Sequence, residues 1–384
     1  MTKPYDFVVI GAGVFGAWTA HYLRESGAGV ALLDAYGAAN SRASSAGETR
    51  IIRMGYGPDE LYTRWSARSL PIWQELAART GAQLFRKTGV LWVSNDSDSY
   101  TERLLAVLTQ CGISAEKLSA TEIGKCYPQL CFNDITGGVF EPESGVLMAR
   151  QSVQLLVQEM MKNGVEYSNA AVVPPRGDGA LRQIQTSAGA SISAGTFIFA
   201  CGPWLPKLFP DLLAERIHPT RQEVFFLGAP PGDDHFGVPY MPAWLHHSHP
   251  ERPYVLPDID NRGVKICFDR HGIDIDPDTA MRVVDQHTII QMRRYIDEHL
   301  PALRNAPVVE TRVCQYENTS NGDFLIDRHP EFENVWIAGG GSGHGFKHGP
   351  AVGQYLSGRI LHGSPAESRL SFATKQTTRA RTVY

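Results

Sequence analysis

Val8-Val9-Ile10-Gly11-Ala12-Gly13-Val14-Phe15-Gly16, answered by Leu32-Leu33-Asp34, reads as a strand, a tight turn, a helix and a second strand. The first glycine permits the turn, the second lets backbone N–H groups approach a pyrophosphate, and the third lets the helix lie close against the sheet. A diphosphate then sits at the helix N-terminus, where unpaired N–H groups and the macrodipole favour negative charge. Gly13, Gly16, Ala17 and Ala20 make one small-residue face, and Gly27 is a helix stop. Asp34 falls where a carboxylate can accept from a ribose hydroxyl. The pattern predicts a dinucleotide-binding α/β unit, and FAD and NAD both fit it.

The chain has 384 residues, enough for two or three cores at roughly 100–200 residues each. With 43% hydrophobic residues, 20% charged residues and a net charge of −4, it offers no electrostatic case for nucleic acid or an anionic membrane. The expected partner is a small molecule. Six cysteines (Cys111, Cys126, Cys131, Cys201, Cys267 and Cys314) contain no C-x-x-C pair, which suggests neither a zinc ribbon nor a disulfide scaffold. A reducing compartment is the default, and no apolar run approaches the roughly 18 residues of a membrane span. The N-terminus enters the first strand without a separate targeting segment, so a cytoplasmic location is expected.

Beyond Asp34, residues 36–47 are rich in Ala, Ser, Gly and Asn and read as a loop. Arg50 and Arg53 follow, three apart, and would share a helical face but point to opposite faces of a strand. Leu61, Trp65, Ile72, Trp73 and Leu76 have near-helical spacing, with Pro71 expected to kink or divide the helix. Residues 87–94 are β-rich, and Ser119 with Glu122 forms a candidate capping box. An amphipathic helix is expected over 151–163, stopped by Gly164, then strands at 170–173, 181–186, 191–194 and 196–200. Composition shifts near residue 218 toward Pro, His and aromatics, with β-like 223–227, 254–256 and 264–268 and one helix near 285–300. His246, His247 and His249 lack a carboxylate at metal-ligand spacing and read as a polar surface turn, so no metal site is expected. A buried strand over 335–338 then leads into Gly339-Gly340-Gly341-Ser342-Gly343-His344-Gly345-Phe346-Lys347 and a helix carrying Val352, Leu356 and Ile360. This second strand–glycine–helix unit lies at the opposite end of the chain, so the ligand-binding domain is expected to be discontinuous.

GAGVFG at 11–16 and SGHGFK at 342–347, with ETRIIR at 48–53, KTGVLWV at 87–93 and FEPESGVL at 140–147 between them, resemble the monomeric sarcosine oxidase and N-methyltryptophan oxidase group of D-amino-acid-oxidase-like flavoproteins. The resemblance runs from about residue 5 to about residue 362. It implies an α/β fold with a Rossmann-like FAD-binding domain (1–83, 150–217 and 318–384). The implied substrate domain is α+β (84–149 and 218–317), on a mixed, mainly antiparallel sheet. Cys314-Gln315-Tyr316 matches the family's covalent flavin attachment, with Cys314 bonded to the 8α position. The implied cofactor-binding residues are Gly11, Gly13, Val14, Phe15, Gly16, Asp34, Ala35, Ser44, Ser45, Thr49, Arg50, Val172, Gly202, Trp204, Cys314, Gly341, Gly343, His344, Gly345 and Lys347.

By the same resemblance, Arg53 and Lys347 grip the substrate carboxylate, through a planar fork and a point charge respectively. Arg50 and Lys265 are basic residues near the flavin ring, Lys265 assisting O2 reduction, while His344, Tyr254 and Tyr316 line the active site. Two positions depart from the pattern. Asp269 stands where sarcosine oxidases have histidine, with His271 two further on, and His348 stands where phenylalanine is usual. The implied reaction is oxidation of a secondary or N-methylated amino acid by hydride transfer to flavin N5, giving an imine that hydrolyses, with O2 reduced to hydrogen peroxide in a monomeric enzyme. Open alternatives are a dehydrogenase using a carrier, an oxidase of cyclic imino acids or sugar-amine adducts, and a non-catalytic flavin module.

Overall fold

The computed structural model describes residues 5–95, 97 and 99–377. The ends of the expected segments 1–83 and 318–384, namely 1–4 and 378–384, lie outside the described residues. Strand β1 (Tyr5–Ile10) turns through Gly11 and Gly13 into helix α1 (Val14–Glu25), which returns to strand β2 (Val30–Asp34). Val8, Val9 and Leu32 are fully buried, as in parallel strands covered on both faces. Gly11 has φ +104°, and a side chain there would collide with the Ala200 carbonyl. A side chain at Gly16 would collide with the Gly11 carbonyl. Gly13 differs, because its nearest neighbour is Ser45 Oγ, 3.4 Å from where a Cβ would lie. The protein itself requires the first and third glycines, whereas the second leaves space in a cleft.

The first sheet runs Leu325–Arg328, Val335–Gly339, Ser191–Phe199, β1, β2, Glu166–Asn169, with Gln183–Gln185 hairpinned onto Ser191–Phe199. All pairs along that path are parallel except Leu325–Arg328 with Val335–Gly339. The strand preceding the C-terminal glycine run is thus beside Ser191–Phe199, itself beside β1, and the chain's two glycine turns open at the same end of one sheet. Helix Gly349–His362 packs on α1, where a side chain at Gly353 would meet the Trp18 backbone at 2.7 Å.

A second sheet of eight strands runs Val308–Asn318, His218–Leu227, Val264–Phe268, Pro253–Leu256, Ala243–His246, Val90–Ser94, Gly137–Glu141, Glu116–Ser119. Its only parallel pair along that path is Ala243–His246 with Val90–Ser94, so the sheet is mixed and mainly antiparallel. Strand alternation sorts its residues. Val264, Ile266 and Phe268 join the core under helix Gln286–His299, which leaves Lys265 and Cys267 on the other face. Together the two sheets and their helices give an α/β fold. A short three-stranded sheet, Arg50–Ile52, Gly145–Leu147, Phe85–Arg86, carries Arg50, and Arg53 follows directly on its first strand.

Several local expectations need correction. The strand expected at 170–173 lies instead at Glu166–Asn169, because pairing ends with β2 at Asp34, and beyond it Val172 makes only an isolated bridge to Thr186. Segments 191–194 and 196–200 are one strand, Ser191–Phe199, through Gly195. Pro71 does not divide its helix: α2 (Glu60–Thr80) is continuous, capped by the Asp59 side chain on Leu61 N–H and ended by Gly81 at φ +68°. Burial of Tyr62, Trp65, Leu70, Trp73 and Leu76 along it outweighs one lost backbone bond. His246 and His247 are buried, not a surface turn, since Trp244 and His246 share the strand face under the helix. The capping box at Ser119 and Glu122 forms as expected.

Candidate active site

A cleft of about 370 Å³ opens where the two glycine turns meet. The first turn contributes Gly11, Gly13, Val14 and Phe15, and the C-terminal run contributes Gly341, Gly343 and Gly345. Asp34, Ala35, Ser44, Ser45, Arg50, Val172, Gly202, Trp204 and Tyr316 complete the part of its wall that the sequence pointed to. Gly16 lies behind the turn, against Gly11 and Ala200. Asp34 is held by three backbone donors: Ala12 N–H (2.8 Å) on Oδ2, and Tyr36 and Gly37 N–H (each 2.9 Å) on Oδ1. A carboxylate offers about four lone-pair sites, so one remains for a ligand hydroxyl.

Three buried polar atoms of cleft-lining residues have no partner among the described residues: Ser44 Oγ, Gln315 Oε1 and Glu317 Oε2. Orphaned groups of this kind are costly unless a ligand satisfies them, and together with the open space at Gly13 they fit a large polyhydroxylated phosphate cofactor. Burial pushes the Glu317 carboxyl up to about 7, against hydrogen bonds from the Gly341 and Gly340 backbone. Sequence reasoning missed Glu317. Its signal was position on the Val308–Asn318 strand, one residue past the cysteine–tyrosine pair.

Two clusters of cations lie near the cleft, one reaching its wall through Arg50 and the other following Gly345 and Phe346, which line it; Thr49, Cys314, His344 and Lys347 are not themselves in its wall. In the first, Arg50 Nη1 (3.1 Å) and Lys265 Nζ (2.5 Å) both donate to the Thr49 carbonyl. Arg50 Nη2 also donates to Ser44 O (2.9 Å) and to Cys314 Sγ (3.3 Å). Burial, then Arg50, holds the buried Lys265 ammonium well below the usual lysine range. Thr49, Arg50, Lys265 and Cys314 are therefore brought together. Tyr254 joins them, packing in the small apolar group of Val224, Phe226, Cys267 and Cys314.

The second cluster is organised by Tyr56, which sequence reasoning missed. Lys347 Nζ donates to Tyr56 Oη (2.7 Å) and to His344 O (2.9 Å), while the Arg53 guanidinium lies 4.1 Å from the centre of the Tyr56 ring and 4.6 Å from that of Trp92. Arg50 and Arg53 thus diverge, as strand alternation requires. His348 Nε2 is 2.7 Å from Tyr56 Oη. Burial, then Lys347, holds His348 well below the usual range, so its neutral ring accepts from Tyr56 while the phenol oxygen accepts from Lys347. The departure from phenylalanine at 348 thereby positions Lys347. Glu141, also unforeseen, ties the Arg53 loop by accepting from Met54 N–H (2.7 Å), Gly55 N–H (3.0 Å) and Trp92 Nε1 (2.8 Å).

His344 Nε2 is 3.0 Å from Gly322 O, which makes Nε2 the donor and turns Nδ1 toward Tyr56, 3.4 Å away. Tyr316 Oη donates to Asp269 Oδ1 (2.5 Å). Burial raises the Asp269 carboxyl, while Tyr316, Arg53, Lys347 and Arg252 oppose the rise, so the carboxylate faces the cationic pair. Burial, then Arg53, holds Lys347 well below the usual lysine range.

A glycine-walled dinucleotide cleft with buried cations nearby defines the class: a nucleotide-cofactor oxidoreductase. The chain belongs to the DAO family of FAD dependent oxidoreductases, whose family model matches residues 6–359. It is 31% identical to the peroxisomal sarcosine oxidase of Mus musculus over 363 residues, covering 92% of each chain. It is 28% identical to the N-methyl-L-tryptophan oxidase of Yersinia pestis, covering 91% of this chain and 93% of that one. The solved L-proline dehydrogenase from P. horikoshii has the same fold, with a TM-score of 0.81, 20% identity and 95% of each chain covered. The protein is an FAD-dependent oxidoreductase, and the orphaned atoms around its cleft fit that cofactor.

Proposed function

We propose that the protein oxidises secondary or N-methylated amino acids of the sarcosine type at the C–H bond next to nitrogen, giving an imine that hydrolyses, with O2 as the electron acceptor and hydrogen peroxide as product. The observation that carries this reading is the meeting of two buried cations, Arg53 and Lys347, on one tyrosine beside the cofactor cleft. When bound, FAD would supply a two-electron acceptor that O2 can reoxidise. Gly11, Gly13 and the start of α1 would hold its diphosphate, Asp34 a ribose hydroxyl, and Ser44, Gln315 and Glu317 further polar groups. Cys314, by the resemblance, would hold it covalently at the 8α position.

Arg53 and Lys347 grip the substrate carboxylate, the fork giving orientation and the ammonium charge, in a site that their own burial keeps dry. Asp269, held by Tyr316, attracts the substrate ammonium and takes its proton, which frees the nitrogen lone pair that the departing hydride requires. Lys265 and Arg50, fastened to one carbonyl, place positive charge where O2 gains electrons. In this reading the protein is a cytoplasmic monomer; its six cysteines, all free, fit a reducing compartment.

A peroxide assay across sarcosine, a bulkier N-methyl amino acid, a cyclic imino acid, a sugar-amine adduct and an uncharged amine tests the proposal. Peroxide is expected from a carboxylated N-methyl substrate and is expected to be lost in Arg53→Met. Turnover of the uncharged amine alone would remove the carboxylate clamp. Acid precipitation tests Cys314 separately: the yellow colour is expected in the pellet, and in the supernatant for Cys314→Ser.

A further inference from the structure

On the helix-covered side of the eight-stranded sheet, opposite the face that carries Lys265, Asp134, His246 and His299 bring one carboxylate oxygen and two ring nitrogens within 4.8 Å of one another. They come from three places in the fold: the loop before strand Gly137–Glu141, the end of strand Ala243–His246, and the last turn of helix Gln286–His299. His299 Nδ1 donates to the Cys131 carbonyl (2.9 Å), which leaves Nε2 as a lone pair. His246 Nδ1 lies 3.3 Å from Tyr295 Oη, and its buried Nε2 has no hydrogen-bond partner among the described residues. Metal-binding histidines are arranged in this way, one nitrogen donating to an outer partner and the other bare toward the ion.

Distance supports the same reading. His246 Nε2 and Asp134 Oδ2 stand 3.4 Å apart without forming a hydrogen bond. With metal–ligand bonds of about 2.0–2.2 Å, two ligands of one tetrahedral ion lie about 3.3–3.6 Å apart. His249 is adjacent, its ring 5.4 Å from that of His246, but its Nδ1 accepts from Glu251 N–H (3.1 Å), which puts the proton on Nε2 and makes it a donor. Glu298 Oε2 is 3.9 Å from His299 Nε2 on an exposed side chain.

We propose that Asp134, His246 and His299 bind one divalent first-row transition ion of the zinc type, with water as the fourth ligand. Two imidazoles and one carboxylate suit zinc, copper or nickel better than the all-oxygen shells of calcium or magnesium. The ion fastens the loop and the helix end to the sheet on the side away from the flavin, so its role is structural and separable from turnover.

The test uses the holoprotein, dialysed against a chelator and then titrated with zinc chloride by calorimetry, with flavin absorbance as the check on folding. One equivalent is expected to bind and to raise the thermal midpoint. Asp134→Asn and His299→Gln are each expected to weaken binding at least about tenfold while flavin absorbance and turnover persist, and Tyr295→Phe to weaken it by about tenfold through the outer bond. Should His299→Gln lose its flavin, the exposed Asp134→Asn decides alone. No binding by the wild type would overturn the proposal. So would binding unchanged in Asp134→Asn, which would place the ion on other groups such as Asp233, Asp234 and His235.

Discussion

Lys347 is buried beside a second cation, and both circumstances disfavour its charged form. A substrate carboxylate reverses that balance, because it gives the ammonium a counter-charge. Binding of a simple carboxylate inhibitor should therefore draw a proton onto Lys347, and affinity should fall as pH rises through its depressed pKa. In Lys347→Met the affinity should be lower by about 10–100-fold, the worth of one hydrogen bond to a charged group, and flat with pH. Spectral titration of the flavin with such an inhibitor measures both; an unchanged pH slope in the variant would assign the proton elsewhere. Lys265 makes a different claim. Its ammonium rests on Thr49 O, beside Arg50, and makes no hydrogen bond to the Tyr56 cluster among the described residues. Lys265→Met should slow the reaction of the reduced enzyme with O2 by about 10²–10³ while leaving anaerobic reduction by substrate nearly unchanged. Stopped-flow separation of the two half-reactions checks this, and equal slowing of both would show a general structural role.

At the scale of elements, the close pairing of α1 with helix Gly349–His362 brings the second glycine unit to the first. Gly353 faces the Trp18 backbone, which cannot move aside as a flexible side chain could. Gly353→Ala should destabilise the protein by about 1–2 kcal/mol: overpacking costs about 1–3 kcal/mol and alanine's better helix propensity returns part of it. A lower thermal midpoint in the holoprotein is the readout, and a higher one would mean the helices can separate freely. Elements whose cause is local were legible in the sequence: the glycine turn at 11–16, the Ser119 cap, the helix at Ala149–Lys162. Those decided by neighbours were not. The 170–173 segment has strand composition but no strand beyond Asp34 to pair with, and Pro71 breaks a helix only where packing does not hold both halves.

Across the whole molecule, the site is an encounter between residues that are distant in the chain, and legibility follows from that. Arg53, Lys347 and Cys314 stand in short motifs that the sequence offered for the site. Tyr56, Glu141 and Glu317 act only through partners far away, and no local pattern marks a tyrosine as the seat of two cations. Asp134 and His299 were invisible for the same reason, so His246 read as part of a polar surface turn with no carboxylate near it.

Glu317 stands where strand Val308–Asn318 of the eight-stranded sheet meets the glycine run that follows the other sheet, and its titration should register in the stability of the whole protein. Its carboxyl is raised from an ordinary 4.5 to about 7. Below the lower value both folded and unfolded chains hold the proton, and nothing changes with pH. Between the two values the unfolded chain ionises while the folded one stays protonated, so stability falls as pH rises and levels off above about 7. The shift corresponds to ~3 kcal/mol at most. Glu317→Gln keeps an acceptor for the Gly340 and Gly341 N–H groups without the charge. Relative to wild type it should gain stability progressively across that window and be level with it at the acid end. Denaturant unfolding of both holoproteins over the pH range measures the difference curve. A flat difference would mean that donors from the bound cofactor satisfy the ionised carboxylate, and that the orphaned Oε2 is the atom they reach.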